Sequence, residues 1–179
     1  VKVTLDLGGG LKRRLWAHLL QNELEQAAFV FSKVDSGNGS VVFKPQVVYL
    51  VPPQDFDVHT GYHIELADHV RPRVIKQAWD SGTAIVEFHS HPTESRQATF
   101  SGSDLSGFEE FVPHCRWRLR GKPYLAVLVN PISVDSMAWV DDSPSPVPLD
   151  VIRLGWFRKM VPTGRTLDAM RAEGVKRGP

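Results

Sequence analysis

Two β-prone runs, Ala27–Val34 and Val41–Val51, stand either side of Ser36-Gly37-Asn38-Gly39, and no other feature restricts the fold as much. Apolar, β-branched segments joined through a short Gly- and Asn-rich turn read as a hairpin. Around it the pattern alternates. Val1–Leu7 carries apolar residues at every second position and reads as a half-buried strand, broken by Gly8-Gly9-Gly10. Leu15, Leu19, Leu20 and Leu24 recur at helical spacing, predicting a helix over Leu11–Leu24. Gln54–Tyr62 reads as polar loop, and Ile64–Trp79 as a helix that tolerates Pro72 and stops at Ser81-Gly82. Thr83–Phe88 is a short apolar strand. Leu105, Phe108, Phe111 and Val112 predict a helix from Ser103 to Pro113. Three more strands are expected at Tyr124–Val129, Val134–Val140 and Val147–Leu154. Strands and helices interleave while hairpin-like pairs dominate both ends, so the expected class is α+β, a mixed β-sheet flanked by helices.

The length, 179 residues, suits one domain, expected over residues 1–157. Residues 158–179 hold six Lys and Arg against Asp168 and Glu173 and read as a basic C-terminal tail, a frayed helix or disordered. Over the whole chain 21 Lys and Arg oppose 20 Asp and Glu, so bulk charge gives no reason to expect nucleic acid or anionic lipid. The single cysteine, Cys115, excludes an intrachain disulfide or a Cys-rich zinc site and suits a reducing compartment. No apolar run approaches the roughly 20 residues of a membrane span, and the N-terminus lacks the order of a signal peptide. A soluble, cytoplasmic domain is expected.

The chemistry concentrates in Glu87-Phe88-His89-Ser90-His91-Pro92 and Ser101-Gly102-Ser103-Asp104. His89 and His91 stand two apart at the end of a strand, so period-two geometry points both imidazoles to one side. Pro92 biases His91 toward extended backbone and prolongs that geometry. Asp104 falls in the first turn of the next helix, which can return to the strand's end. Two imidazoles and a carboxylate are a three-ligand set for zinc with a fourth position open to water. Ser101 and Asp104, three apart, also read as a helix N-cap, and capping would hold Asp104 rigid.

These residues resemble the signature of the JAMM/MPN+ metalloproteases, the JAB domain peptidases: an upstream glutamate, His-x-His-Pro, a spacer and Ser-x-x-Asp. The spacer here, Thr93 to Phe100, is about two residues longer than in the eukaryotic deubiquitinases of the family and fits bacterial members better. Glu25, before Ala27-Ala28-Phe29-Val30-Phe31, matches the place of the family glutamate, although Ala27-Ala28 replaces the Cys-Gly of many members. The resemblance implies an MPN/JAB-like, cytidine-deaminase-like fold over residues 11–155. It implies that His89, His91 and Asp104 ligate one Zn²⁺, that Glu25 is the general base, and that Ser101 stabilises the oxyanion. Glu87 and Glu23 are rivals for the base; Glu87 shares the face of His89 and could instead support a ligand. Ser103 is a weaker rival of Ser101.

The activity implied is that of a zinc-dependent isopeptidase or peptidase. It would cleave after the C-terminal glycine of a ubiquitin-like protein, beside activating and conjugating enzymes of a bacterial system. The tail would lie extended along Gln54–Tyr62. Alternatives are a JAMM peptidase for sulfur-carrier proteins or small peptides, and a non-catalytic MPN scaffold. His59, His63 and His69 flank the second helix and allow a second metal site. His114 and Cys115 are too few ligands for one, and Cys115 reads as packing. Trp16, Trp79, Trp117, Trp139 and Trp156 read as core or half-buried anchors.

Overall fold

The computed structural model describes residues 1–176, so the end of the basic tail, residues 177–179, lies outside the described residues. Ten strands and four helices follow the chain as β1 (Lys2–Asp6), α1 (Gly9–Leu19), β2 (Ala27–Gly37), β3 (Ser40–Leu50), β4 (Phe56–His59), β5 (Ile64–Leu66), α2 (Val70–Ser81), β6 (Ala84–Ser90), α3 (Gly102–Arg118), β7 (Tyr124–Val129), β8 (Val134–Trp139), β9 (Val151–Arg153), β10 (Lys159–Met160) and α4 (Arg165–Lys176). Eight strands form one mixed sheet in the order β10-β9-β1-β3-β2-β6-β7-β8, and β4 and β5 form a separate two-stranded ribbon. This is the α+β architecture expected, a mixed sheet flanked by helices. No helix among the described residues is long and apolar enough to cross a membrane.

The central hairpin forms where the sequence places it. Asn38 and Gly39 both have positive φ (49° and 70°), the two left-handed central residues that a type I′ turn requires. Strand β2 then runs antiparallel to β6, with Ala27 opposite His89, and β6 runs parallel to β7. Residues of one parity face α1: Val30, Val86, Phe88 and Val127 pack with Leu15 and Leu19. The other parity faces α2 and α3, where Phe29, Phe31, Ile85, Tyr124 and Leu128 meet Val74, Phe108 and Phe111. Both faces of the inner strands are therefore buried, and these strands read as continuous apolar runs.

Several boundaries differ from expectation, each for a local reason. Helix α1 starts within the glycine triplet, at Gly9, and ends at Leu19 rather than Leu24, because the Asn22 side chain accepts the Leu24 amide at 2.9 Å and turns the chain toward Glu25. Gln54–Tyr62 is not a plain loop: a single 3-10 turn (Pro53–Asp55) leads into β4. Ile64–Leu66 is strand, not helix, and α2 begins at Val70, which puts Pro72 in the first turn, where its missing N–H costs nothing. Helix α3 continues through Pro113 to Arg118, and both Pro113 and Glu109, whose carbonyl loses its partner, are exposed to solvent. The expected strand over Val147–Leu154 shrinks to β9 and one bridge from Val147 to Ala138.

The segment from Arg158 onward packs against the domain. β10 pairs with β9, the Thr163 amide bonds the Val134 carbonyl at 2.8 Å, and Leu167 joins the core. Thr166 is buried with its hydroxyl 2.6 Å and its amide 2.9 Å from the Asp135 carboxylate. The tryptophans divide: Trp139 is core and Trp16 is half-buried against Phe88, but Trp79, Trp117 and Trp156 are exposed, Trp156 at 97%.

Candidate metal centre

Two elements deliver the three donors. Strand β6 carries His89 at its last inward position, and the chain stays extended for two more residues because the His91 amide donates to the Val129 carbonyl at 3.0 Å. The two imidazoles therefore lie on the same side, ring centroids 5.3 Å apart. Helix α3 brings Asp104 back to them. Ser101 is its N-cap: the hydroxyl accepts from the Asp104 amide at 3.2 Å, and the Asp104 carboxylate accepts from the Ser101 amide at 2.7 Å. This capping box fixes the Asp104 side chain through the backbone it terminates.

Asp104 lies with its two oxygens 3.4 Å from His89 Nε2 and 3.4 Å from His91 Nε2 respectively. One ligand atom from each of the three residues falls within 4.8 Å of the others, and they form the one such group found among the described residues. His89 Nε2 is buried and has no hydrogen-bond partner among the described residues. A buried imidazole nitrogen without a partner is costly unless something else satisfies it. Two imidazoles and a carboxylate converging in this way fit a divalent cation that accepts nitrogen and oxygen donors.

Electrostatics concentrate at the same point. Burial works against a charged Asp104, yet the facing His89 and His91 imidazoles and the Ser101 hydroxyl outweigh it, and its pKa falls well below the carboxylate range. Burial likewise opposes charge on His91, but Asp104, Glu25 and Glu94 outweigh it and raise its pKa.

Glu25, 5% exposed, has Oε1 3.5 Å from His91 Nε2. Burial raises its pKa, more than His91 and His89 lower it. Its backbone is clamped from the β4–β5 ribbon: the Glu25 amide donates to the Thr60 carbonyl at 2.8 Å, and His59 Nε2 donates to the Glu25 carbonyl at 2.9 Å. The ribbon's turn can lie this close because of Gly61, where a Cβ would sit 2.6 Å from the Glu23 carbonyl oxygen.

The rivals fall elsewhere. Glu23 is exposed. Glu87 does share the face of His89 and lines the same cleft, but its carboxylate accepts the Tyr124 hydroxyl. Ser101 and Ser103 both line the cleft; the Ser101 hydroxyl donates to Asp104 at 2.8 Å and lies 2.8 Å from that of Ser103. His59, His63 and His69 do not converge on a second centre, being bonded to the Glu25 carbonyl, Glu65 and Asp55 respectively. Burial pushes the Cys115 thiol up to about 12, which makes it a packing residue.

Sequence reasoning missed the support behind His91. Glu94 Oε1 lies 3.0 Å from His91 Nδ1 and Asn130 Nδ2 donates to Glu94 Oε2 at 3.3 Å. A carboxylate on Nδ1 sets the tautomer that leaves Nε2 free to bind a cation. The signal was the i, i+3 spacing of Glu94 from His91; Asn130, remote in sequence, had none. Asn130 also holds the Arg96 carbonyl at 2.7 Å, Ser133 accepts the Ala98 amide at 2.7 Å, and Thr166 accepts the Phe100 amide at 3.0 Å. The long spacer is thus tied down along its length, and Phe100 packs against His89 with centroids 5.4 Å apart.

The site opens into a cleft of about 460 Å³ lined on the far side by Tyr62 to Asp68. No family model matches the chain, and no curated protein does. Among solved structures it is similar to the solution structure of protein DSY2949 from Desulfitobacterium hafniense, with 16% identity and a TM-score of 0.50, over 87% of this chain and 95% of that one. That likeness concerns the fold alone.

Proposed function

We propose that the chain is a zinc-dependent JAMM/MPN+ peptidase that cleaves after the C-terminal glycine of a ubiquitin-like protein, processing a precursor or removing the modifier from targets in the cytoplasm. One observation carries the reading. A buried carboxylate, Glu25, stands 3.5 Å from a nitrogen of a three-donor group that closes on one point. A structural metal site needs no such neighbour, whereas hydrolysis needs a group that takes and returns a proton. The sheet with α1 on one face and α2 and α3 on the other, with the donors at the end of β6, supports the MPN/JAB-like form of the fold.

His89, His91 and Asp104 would hold one Zn²⁺ per chain, which when bound polarises a carbonyl and acidifies water. The other steps fall to the chain. Glu25 takes the proton of the attacking water and returns it to the leaving amine; the burial that raises its pKa makes it the stronger base and lets it keep that proton between steps. The Ser101 hydroxyl donates to the developing oxyanion by turning its proton away from Asp104 about the Cβ–Oγ bond. Strand β5 has β4 on one side only, and its residues Ile64–Leu66 line the cleft. An extended tail can add to that edge through main-chain hydrogen bonds, which supply affinity with little side-chain selectivity. A glycine-ended tail, having no side chains to place at its end, can pair in this way.

The test is zinc content and cleavage of a C-terminally extended ubiquitin-like protein by the purified chain. Glu25→Ala should keep equimolar zinc and lose turnover by roughly 10²–10⁴-fold. Asp104→Ala should lose both. Wild-type turnover in Glu25→Ala would overturn the reading.

A further inference from the structure

Helices α2 and α3 leave an open groove of about 900 Å³ on the surface beside the metal cleft. Its floor is apolar, from Ile75 and Phe111, and its walls carry Trp79 and Trp117, exposed at 50% and 71%. Over these rings lie guanidinium groups: Arg71 is 4.5 Å from the Phe111 centroid, Arg120 is 4.7 Å from Trp79, and Arg118 is 5.3 Å from Trp117. None of the three arginines is in an ion pair among the described residues, and the lysine of the groove, Lys76, is bound to Asp80. Glu110 is the one carboxylate in the lining. A chain whose charges otherwise nearly cancel has therefore gathered unpaired cations and exposed indoles in one concavity.

Arginine stacked on an aromatic ring keeps its in-plane N–H donors free, the geometry that receives carboxylates in pairs. Exposed aromatic and arginine side chains in a concavity are also the residue types that dominate binding energy at protein interfaces. The groove is not separate from the cleft: Arg71 and Glu110 line both. A polypeptide seated at the metal centre has only to pass these two residues to reach Trp79 and Trp117.

We propose that this groove is a docking surface for an acidic segment of the protein substrate, with carboxylates on Arg71, Arg118 and Arg120 and an apolar side chain between Trp79 and Trp117. The assignment rests on the peptidase reading. It makes the groove a determinant of which protein is cut, while the edge of β5 receives the bond to be cut. Continuity with a cleft that takes polypeptide favours an acidic protein segment over a nucleic acid strand, the other polyanion that indoles and arginines could receive.

The probes are a fluorescein-labelled dodecapeptide alternating Glu and Leu, its Gln and Leu counterpart, and an oligo(dT) of equal length, read by anisotropy and by tryptophan quenching. The acidic peptide should bind best, and Arg118→Glu with Arg120→Glu should weaken it by roughly tenfold or more, with the loss shrinking as salt rises. Both substitutions are on the surface, and circular dichroism checks that the fold survives. Equal binding of the Glu and Gln peptides, an unchanged affinity in the double variant, or tighter binding of oligo(dT) would overturn the proposal. The same titration on Asp104→Ala should give the wild-type affinity, so groove binding is read apart from catalysis. Absence of zinc or of cleavage in the wild type would sink the peptidase reading without altering these titrations.

Discussion

The two faces of the sheet are made by the same strands and serve opposite ends. Phe88 and His89 are neighbours on β6, both buried, and point to opposite sides. On the side of Phe88, α1 closes a cluster of aliphatic and aromatic side chains. On the side of His89 the cluster is interrupted at the strand's end by Glu25, His89, His91 and Asp104, buried or half-buried and paired mainly with one another. Burial of apolar surface stabilises the first face, whereas desolvation of charge works against the second. The apolar core and the candidate metal centre are thus separated by the pleat.

Substitutions on the two faces should therefore fail in different ways. Phe88→Ala should produce the largest effect, a loss of about 3–5 kcal/mol in denaturant unfolding, because a fully buried ring leaves a cavity between Trp16 and the sheet. The folded fraction should still bind zinc; a folded Phe88→Ala chain without zinc affinity would break the separation of faces. Glu94→Ala, on the other face, should reverse that pattern. Unfolding should shift little, while zinc affinity, measured by chelator competition, should drop about 10- to 100-fold because His91 loses the acceptor that fixes its tautomer. An unchanged affinity would reduce Glu94 to a surface residue.

The smallest expected effect lies in the 3-10 turn that leads into the ribbon clamping Glu25. Asp55 accepts hydrogen bonds from Tyr49 and Arg73, with His69 Nε2 at 3.1 Å, and the Tyr49 and Arg73 bonds hold its pKa down to about 2. A carboxyl depressed in the folded state contributes stability above its unfolded pKa and loses it as pH falls toward the folded value. Wild-type stability should therefore decline between about pH 4 and pH 2, and Asp55→Asn should be less stable at neutral pH with a flatter decline. Parallel acid profiles for the two proteins would remove Asp55 as the source.

The two hairpins differ in where their determinants lie. β2–β3 announced itself because its determinants are local: apolar β-branched runs and a turn, Asn38-Gly39, that few other residues can occupy. β4–β5 falls where the sequence pattern predicts loop and helix, because its determinants are remote. Asp55 finds Tyr49 and Arg73, Thr60 and His59 grip Glu25, and Gly61 settles on the Glu23 backbone. Three- and four-residue strands carry no periodicity long enough to recognise. The C-terminal segment packs where composition alone predicts a frayed helix or disorder, for a related reason. Its composition is basic, but the β10–β9 pairing, the Thr163 amide on Val134, one buried leucine and one threonine on Asp135 seat it. Within the centre, His89, His91 and Asp104 were legible because strand and helix periods fix their directions, while the Asn130 that steadies Glu94 was not.

The amino-acid order alone determined the alternation of strands and helices, the central turn and the residues able to donate to a cation, since each depends on neighbours a few positions away. Folding in three dimensions decided that Glu25 would be buried beside His91, that Glu94 and Asn130 would stand behind the imidazole, and that Trp79 and Trp117 would flank a basic groove. Those outcomes depend on which distant side chains share a low-dielectric space, a property that no stretch of chain possesses until the sheet and helices have closed around it.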